Sequence, residues 1–137
     1  MSWQDTLRAQ LSVDEGYRKM PYTDSVGKLT IGVGRNLTDV GLHDDEIALL
    51  LTNDIDFAEA ACIKLIPTWD DLSGARKAVL GNMAFNMGEH TFAGFVGMLK
   101  AVNESRWDDA ADAMLASHWA VQVGARSQRL ADQMRTG

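Results

Sequence analysis

Apolar positions follow a helical rhythm along most of this chain and lose it once, near the N-terminus. Trp3, Leu7 and Leu11 recur every four residues, the stripe of a one-faced helix. Ser2 followed by Asp5 is a capping-box-like start, and Gly16 is a favoured stop. Asp14 and Glu15 then fall in the last turn, where the helix dipole is negative and carboxylates are poorly placed. Two acids at such an end suggest a local partner or a task.

From Tyr17 to Gly34 the pattern changes. Pro21 ends helical continuation. Asp24-Ser25-Val26-Gly27 is turn chemistry, and Lys28, Leu29, Thr30, Ile31 and Val33 are strand-like. This predicts a small antiparallel hairpin or three-stranded sheet, too small to be stable alone.

The helical rhythm then returns. Ile47, Leu50, Leu51, Ile55, Ala58, Cys62 and Leu65 predict a long helix over Glu46–Leu65, broken by Pro67. Val79, Leu80, Met83, Ala84 and Met87 share one face of a helix over Ser73–Met87, closed by Gly88. A short helix is expected over Thr91–Val102. Another is capped by Ser105 with Asp108 and carries Trp107, Ala111, Met114 and Leu115. A last one runs over Arg126–Met134. The organisation is one α+β, mostly α domain. A small lobe at about 14–50 is joined by a connecting helix at about 44–65 to a helical lobe of about 1–13 plus 67–137.

Composition narrows the function classes. With 46% hydrophobic and 23% charged residues in 137, the chain is an ordinary globular domain. Its net charge is −6, the opposite sign to a nucleic-acid binder, so no nucleic-acid partner is expected. Residues 1–67 carry 6 basic against 11 acidic side chains, an excess expected on a solvated helix face. One cysteine, Cys62, excludes an internal disulfide and fits a buried small hydrophobe. No apolar stretch spans a bilayer, and the first residues lack a signal-peptide pattern, so neither a membrane anchor nor general export is expected.

Three residues of the small lobe carry candidate chemistry. Glu15 ends a helix, Asp24 sits on a turn nine residues later, and Thr30 lies six beyond on a strand. A carboxylate pair flanking a cleft serves glycoside hydrolysis: one acid protonates the leaving oxygen, the other activates or positions water. Thr30 could hold that water. Spacing alone leaves ordinary surface carboxylates as the commoner alternative.

The stretch E-G-Y-R-K-M-P-Y-T-D-S-V-G-K-L-T-I-G-V-G, residues 15–34, resembles the active-site signature of tailed-phage lysozymes, glycoside hydrolase family 24. That signature is Glu, eight residues, Asp (or Cys), five residues, Thr, then I-G-x-G. The likeness continues through A-V-L-G-N-M-A-F-N-M-G-E at 78–89, A-G-F at 93–95, R-W-D-D-A-A at 106–111, S-H-W at 117–119, and Arg126, Arg129 and Arg135 to Gly137. It implies a lysozyme-like two-lobed fold and hydrolysis of the β-1,4 bond between N-acetylmuramic acid and N-acetylglucosamine in bacterial peptidoglycan, with inversion. By the same resemblance Glu15 is the general acid, Asp24 the base or electrostatic partner of the water, and Thr30 its orienter. Phe85, Asn86 and Trp119 contact substrate, and Gly34 lets a sugar approach the backbone. Arg126 reaches Glu15, Arg129 lies near Asp14, and Arg35 pairs with Asp54. The family's larger members have His where Arg35 stands. Positions matching two family sugar contacts hold Met98 and Ala113, and are not carried over.

Other motifs weigh less. G-V-G-R-N-L at 32–37 lacks the third glycine of a dinucleotide fingerprint. His43, His90 and His118 are not spaced as metal ligands, so no metal and no cofactor is implied. The expected protein is a monomeric phage or prophage endolysin, held in the host cytoplasm until a separate membrane-permeabilising protein admits it to the wall. The alternative is a peptidoglycan-binding or phage-tail-associated module without catalysis, against which the intact Glu15, Asp24 and Thr30 argue.

Overall fold

A computed structural model describes residues 1–137. The order is α1 (Trp3–Asp14), β1 (Arg18–Thr23), β2 (Leu29–Gly32), β3 (Arg35–Asn36), α2 (Asp44–Leu65), a 3₁₀ turn (Trp69–Asp71), α3 (Gly74–Ala93), α4 (Val96–Asn103), α5 (Trp107–Leu115), α6 (His118–Val123) and α7 (Ala125–Thr136). This is the expected α+β, mostly α architecture. Two compact units divide the chain, Met1–Leu49 and Leu50–Gly137.

In the first unit, α1 begins on the expected capping box. The Ser2 hydroxyl accepts from the Asp5 N–H, and the Asp5 carboxylate accepts from the Ser2 N–H. It ends on Glu15, whose N–H donates to the Leu11 carbonyl, and Gly16 turns the chain away at φ +79°. Three antiparallel strands follow in the order β1-β2-β3. Arg18 faces Gly32, Tyr22 faces Thr30, and the register slips between those pairs. Thr30 also faces Asn36 across β2 and β3. Pro21 is tolerated because β1 is an edge strand. Thr30 is the unit's one buried residue.

The second unit holds the core. Cys62, Val79, Leu80, Met83, Phe92, Met98, Val102, Ala110, Ala111, Met114, Ala131 and Met134 are buried in one cluster. Methionines fill four of these places, as suits irregular gaps between short helices. On α2 the apolar stripe is buried only toward its C-terminal end. Ala58, Ala61 and Cys62 are enclosed, whereas Ile47, Leu50, Leu51 and Ile55 stay about half exposed. The stripe predicted the helix correctly and its burial only in part.

Three local expectations change. The helix expected over Thr91–Val102 is in two pieces: Gly88 interrupts α3 as expected, at φ 81°, ψ 163°, a second segment runs on to Ala93, and α4 begins at Val96. Ser105 caps nothing. It sits at φ 57° and closes α4 from behind: its N–H donates to Val102, and the Arg106 N–H donates to Ala101. That pairing is a Schellman motif with serine in the place glycine usually takes. The start of α5 falls to Arg106 with no side-chain cap. Finally, α6 was not expected; Ser117 caps it by accepting from the Ala120 N–H.

Candidate active site

Glu15, Asp24 and Thr30 all belong to the first unit. Glu15 is exposed at the C-terminal end of α1. Its side chain packs on Gly34, in the turn between β2 and β3. A Cβ on Gly34 would lie 3.0 Å from Glu15 Oε2 and 3.1 Å from its Cβ and Cδ. Gly34 also adopts φ +70°, which side-chain-bearing residues rarely take. The glycine is therefore needed twice. Its open side faces the Glu15 carboxyl group, where the resemblance implied a sugar.

Asp24 follows β1 and is held by the backbone of its own turn. Its Oδ1 accepts from the Val26 N–H at 3.0 Å and from the Lys28 N–H at 2.8 Å. The Asp24 N–H donates to the Lys28 carbonyl at 2.9 Å, and Gly27 supplies the positive φ that closes the turn. Oδ2 makes no hydrogen bond within the protein, so the carboxylate is oriented by one oxygen and presents the other.

Thr30 is tied to the same peptide. Its Oγ1 donates to the Lys28 carbonyl at 3.0 Å. Because its proton is committed there, the hydroxyl can offer only lone pairs to a further partner. A water beside it would donate to Thr30 and turn its own lone pair elsewhere. Lys28 thus links Asp24 and Thr30 through both halves of its backbone, and burial of Thr30 fixes the hydroxyl rotor.

The Arg35–Asp54 pair is corrected. Arg35 Nη1 binds Glu46 Oε1 at 2.6 Å and donates to the Gly41 carbonyl at 3.1 Å. Glu46 Oε1 also accepts from the His43 N–H at 2.8 Å. Glu46 lies eight residues nearer the start of α2, about 12 Å along a helix axis, where the chain leaving β3 arrives. The Arg35 hydrogen bond, helped by the His43 N–H, lowers the Glu46 carboxyl from the ordinary 4.5 to about 2. The same carboxylate raises the Arg35 guanidinium. The His43, Asp45 and Glu46 side chains cluster within 4.8 Å, with two of them exposed and Glu46 bound to Arg35.

In the second unit, Phe85 and Asn86 follow each other on α3 and so point about 100° apart. Phe85 looks toward α2. Asn86 lines a cavity of about 740 Å³ with Thr91, Ser117, His118, Trp119 and Gln122. Trp119 is only 4% exposed, and its indole N–H donates to Asn86 Oδ1 at 3.1 Å. The ring is mostly core and the N–H aligns the amide, so Trp119 is placed to support Asn86 more than to stack on a sugar. Arg126 donates from Nε and Nη2 to Asn82 Oδ1, while Arg129 is exposed on the same helix. Cys62 is fully buried, and burial pushes its thiol up to about 12, which rules it out as a nucleophile at neutral pH. The sequence reading missed Glu46, Lys28 and Asn82. Glu46 had a signal, since it stands three residues after His43 at a helix start.

A carboxylate at a helix end, a second on a sheet turn and a hydroxyl locked beside the second, in an α+β chain, are the arrangement expected of a lysozyme-type glycoside hydrolase. Residues 12–135 match the profile described as Phage lysozyme. The chain belongs to the phage lysozyme family. It is 26% identical to "Probable T4-type lysozyme 2" and 28% identical to "Probable T4-type lysozyme 1", both of Dictyostelium discoideum, each alignment covering 96% of this chain and 95% of the relative. It is also 28% identical to the pre-baseplate central spike protein Gp5 of Enterobacteria phage T4, across all of this chain and 28% of that protein.

Proposed function

We propose that this enzyme hydrolyses the β-1,4 bond between N-acetylmuramic acid and N-acetylglucosamine in bacterial peptidoglycan, with inversion, as a member of glycoside hydrolase family 24. Glu15 donates a proton to the leaving oxygen. Asp24 acts through its free Oδ2, accepting a proton from water or stabilising its attack. Thr30 accepts a hydrogen bond from that water and so aims its lone pair. Phe85 and Asn86 bind glycan, with Trp119 holding Asn86. No helix is long and apolar enough to cross a membrane. The biological role is an endolysin, monomeric, that reaches the wall after a separate protein permeabilises the membrane.

The observation that carries this reading is the Lys28 peptide bound on one side by Asp24 and on the other by Thr30, with Glu15 packed on Gly34 in the same unit. The test is release of reducing ends from purified peptidoglycan, alongside clearing of outer-membrane-permeabilised cells, for wild type and Glu15→Gln. Release by wild type alone supports it. Binding to the wall with no release by wild type would favour a second reading, a phage-tail-associated module, toward which the likeness to the spike protein leans.

A further inference from the structure

The peptide between Lys28 and Leu29 is held at both ends. Its carbonyl accepts from the Asp24 N–H at 2.9 Å and from Thr30 Oγ1 at 3.0 Å. Its N–H, which belongs to Leu29, donates to Thr38 Oγ1 at 2.9 Å. The proposed catalytic steps use the carbonyl end of this peptide and leave Thr38 without a role.

The Thr38 bond is an unusual part of the sheet. Facing residues of an antiparallel pair exchange both N–H···O bonds through the backbone. Here the Leu29 carbonyl accepts from the Leu37 N–H at 2.7 Å, but the return bond goes to a side chain, the Thr38 hydroxyl. The loop that carries Thr38 is itself fixed. The Asp39 N–H donates to Asn36 Oδ1 at 2.9 Å, and Asp39 Oδ2 accepts from Asn36 Nδ2 at 3.0 Å. The same carboxylate pairs with Lys28 Nζ at 3.2 Å. Asn36 in turn faces Thr30 across β2 and β3. Residues 36–39 therefore meet β2 at three consecutive residues, Lys28, Leu29 and Thr30.

Both Thr38 and Leu29 are exposed, so water can take the Leu29 N–H if the hydroxyl is lost, and the fold does not depend on it. A mobile water does not fix the plane of the peptide, however, and that plane sets the direction of the carbonyl. We propose that Thr38 is a positioning residue. It acts through the Lys28–Leu29 peptide to aim the carbonyl that orients the Thr30 hydroxyl and binds the Asp24 N–H. Hydrogen bonds at the two ends of one peptide also polarise each other, so the Thr38 bond tightens the hold on Thr30. The proposal rests on Asp24 and Thr30 serving the attacking water.

The test compares Thr38→Val, which keeps the shape and removes the hydroxyl, with Thr38→Ser, which keeps the hydroxyl, in the full chain on purified peptidoglycan. A displacement of about 1 Å costs roughly 10²-fold, so a shift of about half that should lower kcat of Thr38→Val about tenfold. KM should change little, because Phe85 and Asn86 belong to the other unit. Thr38→Ser should recover most of kcat. Asp109→Ala breaks an exposed ion pair of the second unit, Arg106–Asp109 at 2.8 Å, and should leave kcat unchanged. In amide-proton NMR spectra, Thr38→Val should move the Leu29 signal and, with it, those of Val26 and Lys28, whose N–H groups bind Asp24. An unchanged kcat in Thr38→Val, or a loss that Thr38→Ser shares in full, overturns the proposal. Thr38→Ala is read in the same way if the valine variant does not fold. A wild type that releases no reducing ends overturns the proposed function instead. The spectra then decide the positioning by themselves, and unmoved Val26 and Lys28 signals overturn it.

Discussion

Replacing Gly34 by alanine separates two demands that the structure places on one residue. The first is conformational. Gly34 sits at φ +70°, and a non-glycine residue there costs about 1–2 kcal/mol. The second is spatial. The added methyl would stand 3.0 Å from Glu15 Oε2 and 3.1 Å from Glu15 Cβ and Cδ, so the carboxyl group must shift. Gly32 supplies the control. It lies two residues away at φ +69°, with nothing within 4 Å of its would-be Cβ. Gly32→Ala and Gly34→Ala should therefore lose similar stability in urea, about 1–2 kcal/mol each. Only Gly34→Ala should lose activity in proportion to a displaced acid, since a misplacement of about 1 Å costs roughly 10²-fold. Reducing-end release at saturating and limiting peptidoglycan measures this, below the unfolding transition of both variants. Equal activity of the two alanine variants would refute the argument: either Gly34 does not hold Glu15, or Glu15 is not the acid.

Glu15→Gln should remain folded by circular dichroism and lose about 10²–10⁴ in rate, the usual contribution of a general acid; lysis within tenfold of wild type would remove Glu15 from that role. Product sugar from the β-linked substrate should appear first as the α-anomer by proton NMR, because an inverting pair stands about 6.5–9.5 Å apart and admits a water; the β-anomer first would reverse the assignment. The Arg35–Glu46 pair lowers the Glu46 carboxyl, so its stabilising effect is complete above the ordinary 4.5 and disappears as pH falls toward about 2. Glu46→Gln should thus destabilise at pH 7 and match wild type near pH 2, and a difference that does not shrink with acid would contradict the pairing. Trp119→Phe keeps the ring but removes the 3.1 Å hydrogen bond to Asn86, so KM should rise with kcat little changed; an unaltered KM would mean that Asn86 is aligned by something else.

The local devices of the first unit could be read directly because each is confined to a few residues. Ser2 with Asp5, Gly16, and the Asp24–Gly27 turn each act over four residues or fewer, and each appears in the structure where the sequence put it. Partners of long side chains were less legible. Arg35 was expected at Asp54 and binds Glu46, a choice between two acids on one helix decided by where the chain from β3 meets α2. Ser105 was read as an N-cap because serine favours that role, yet the six-residue closure of α4 needed a left-handed residue there first. The stripe on α2 shows the limit of periodicity, which gives the direction of a face and not whether anything covers it. Trp119 was ambiguous for a different reason. A tryptophan near a cavity can present its ring or its N–H, and only the structure shows the ring inside and the N–H on Asn86.

The catalytic candidates stand on a unit with almost no apolar interior, where Thr30 is the single buried residue. Their geometry is therefore set by backbone hydrogen bonds and by glycines at positive φ, not by core packing. Asp24 is fixed by the N–H groups of Val26 and Lys28, Thr30 by the Lys28 carbonyl, and Glu15 by the space that Gly34 leaves. Such devices align a carboxylate while leaving it in contact with water, which both the proton donor and the partner of an attacking water require. They also make the site sensitive to different changes from the rest of the chain. A large-to-small change at Met83 or Phe92 should cost stability, about 2–5 kcal/mol, by opening a cavity in the second unit. A single added methyl at Gly34 removes the place where Glu15 rests.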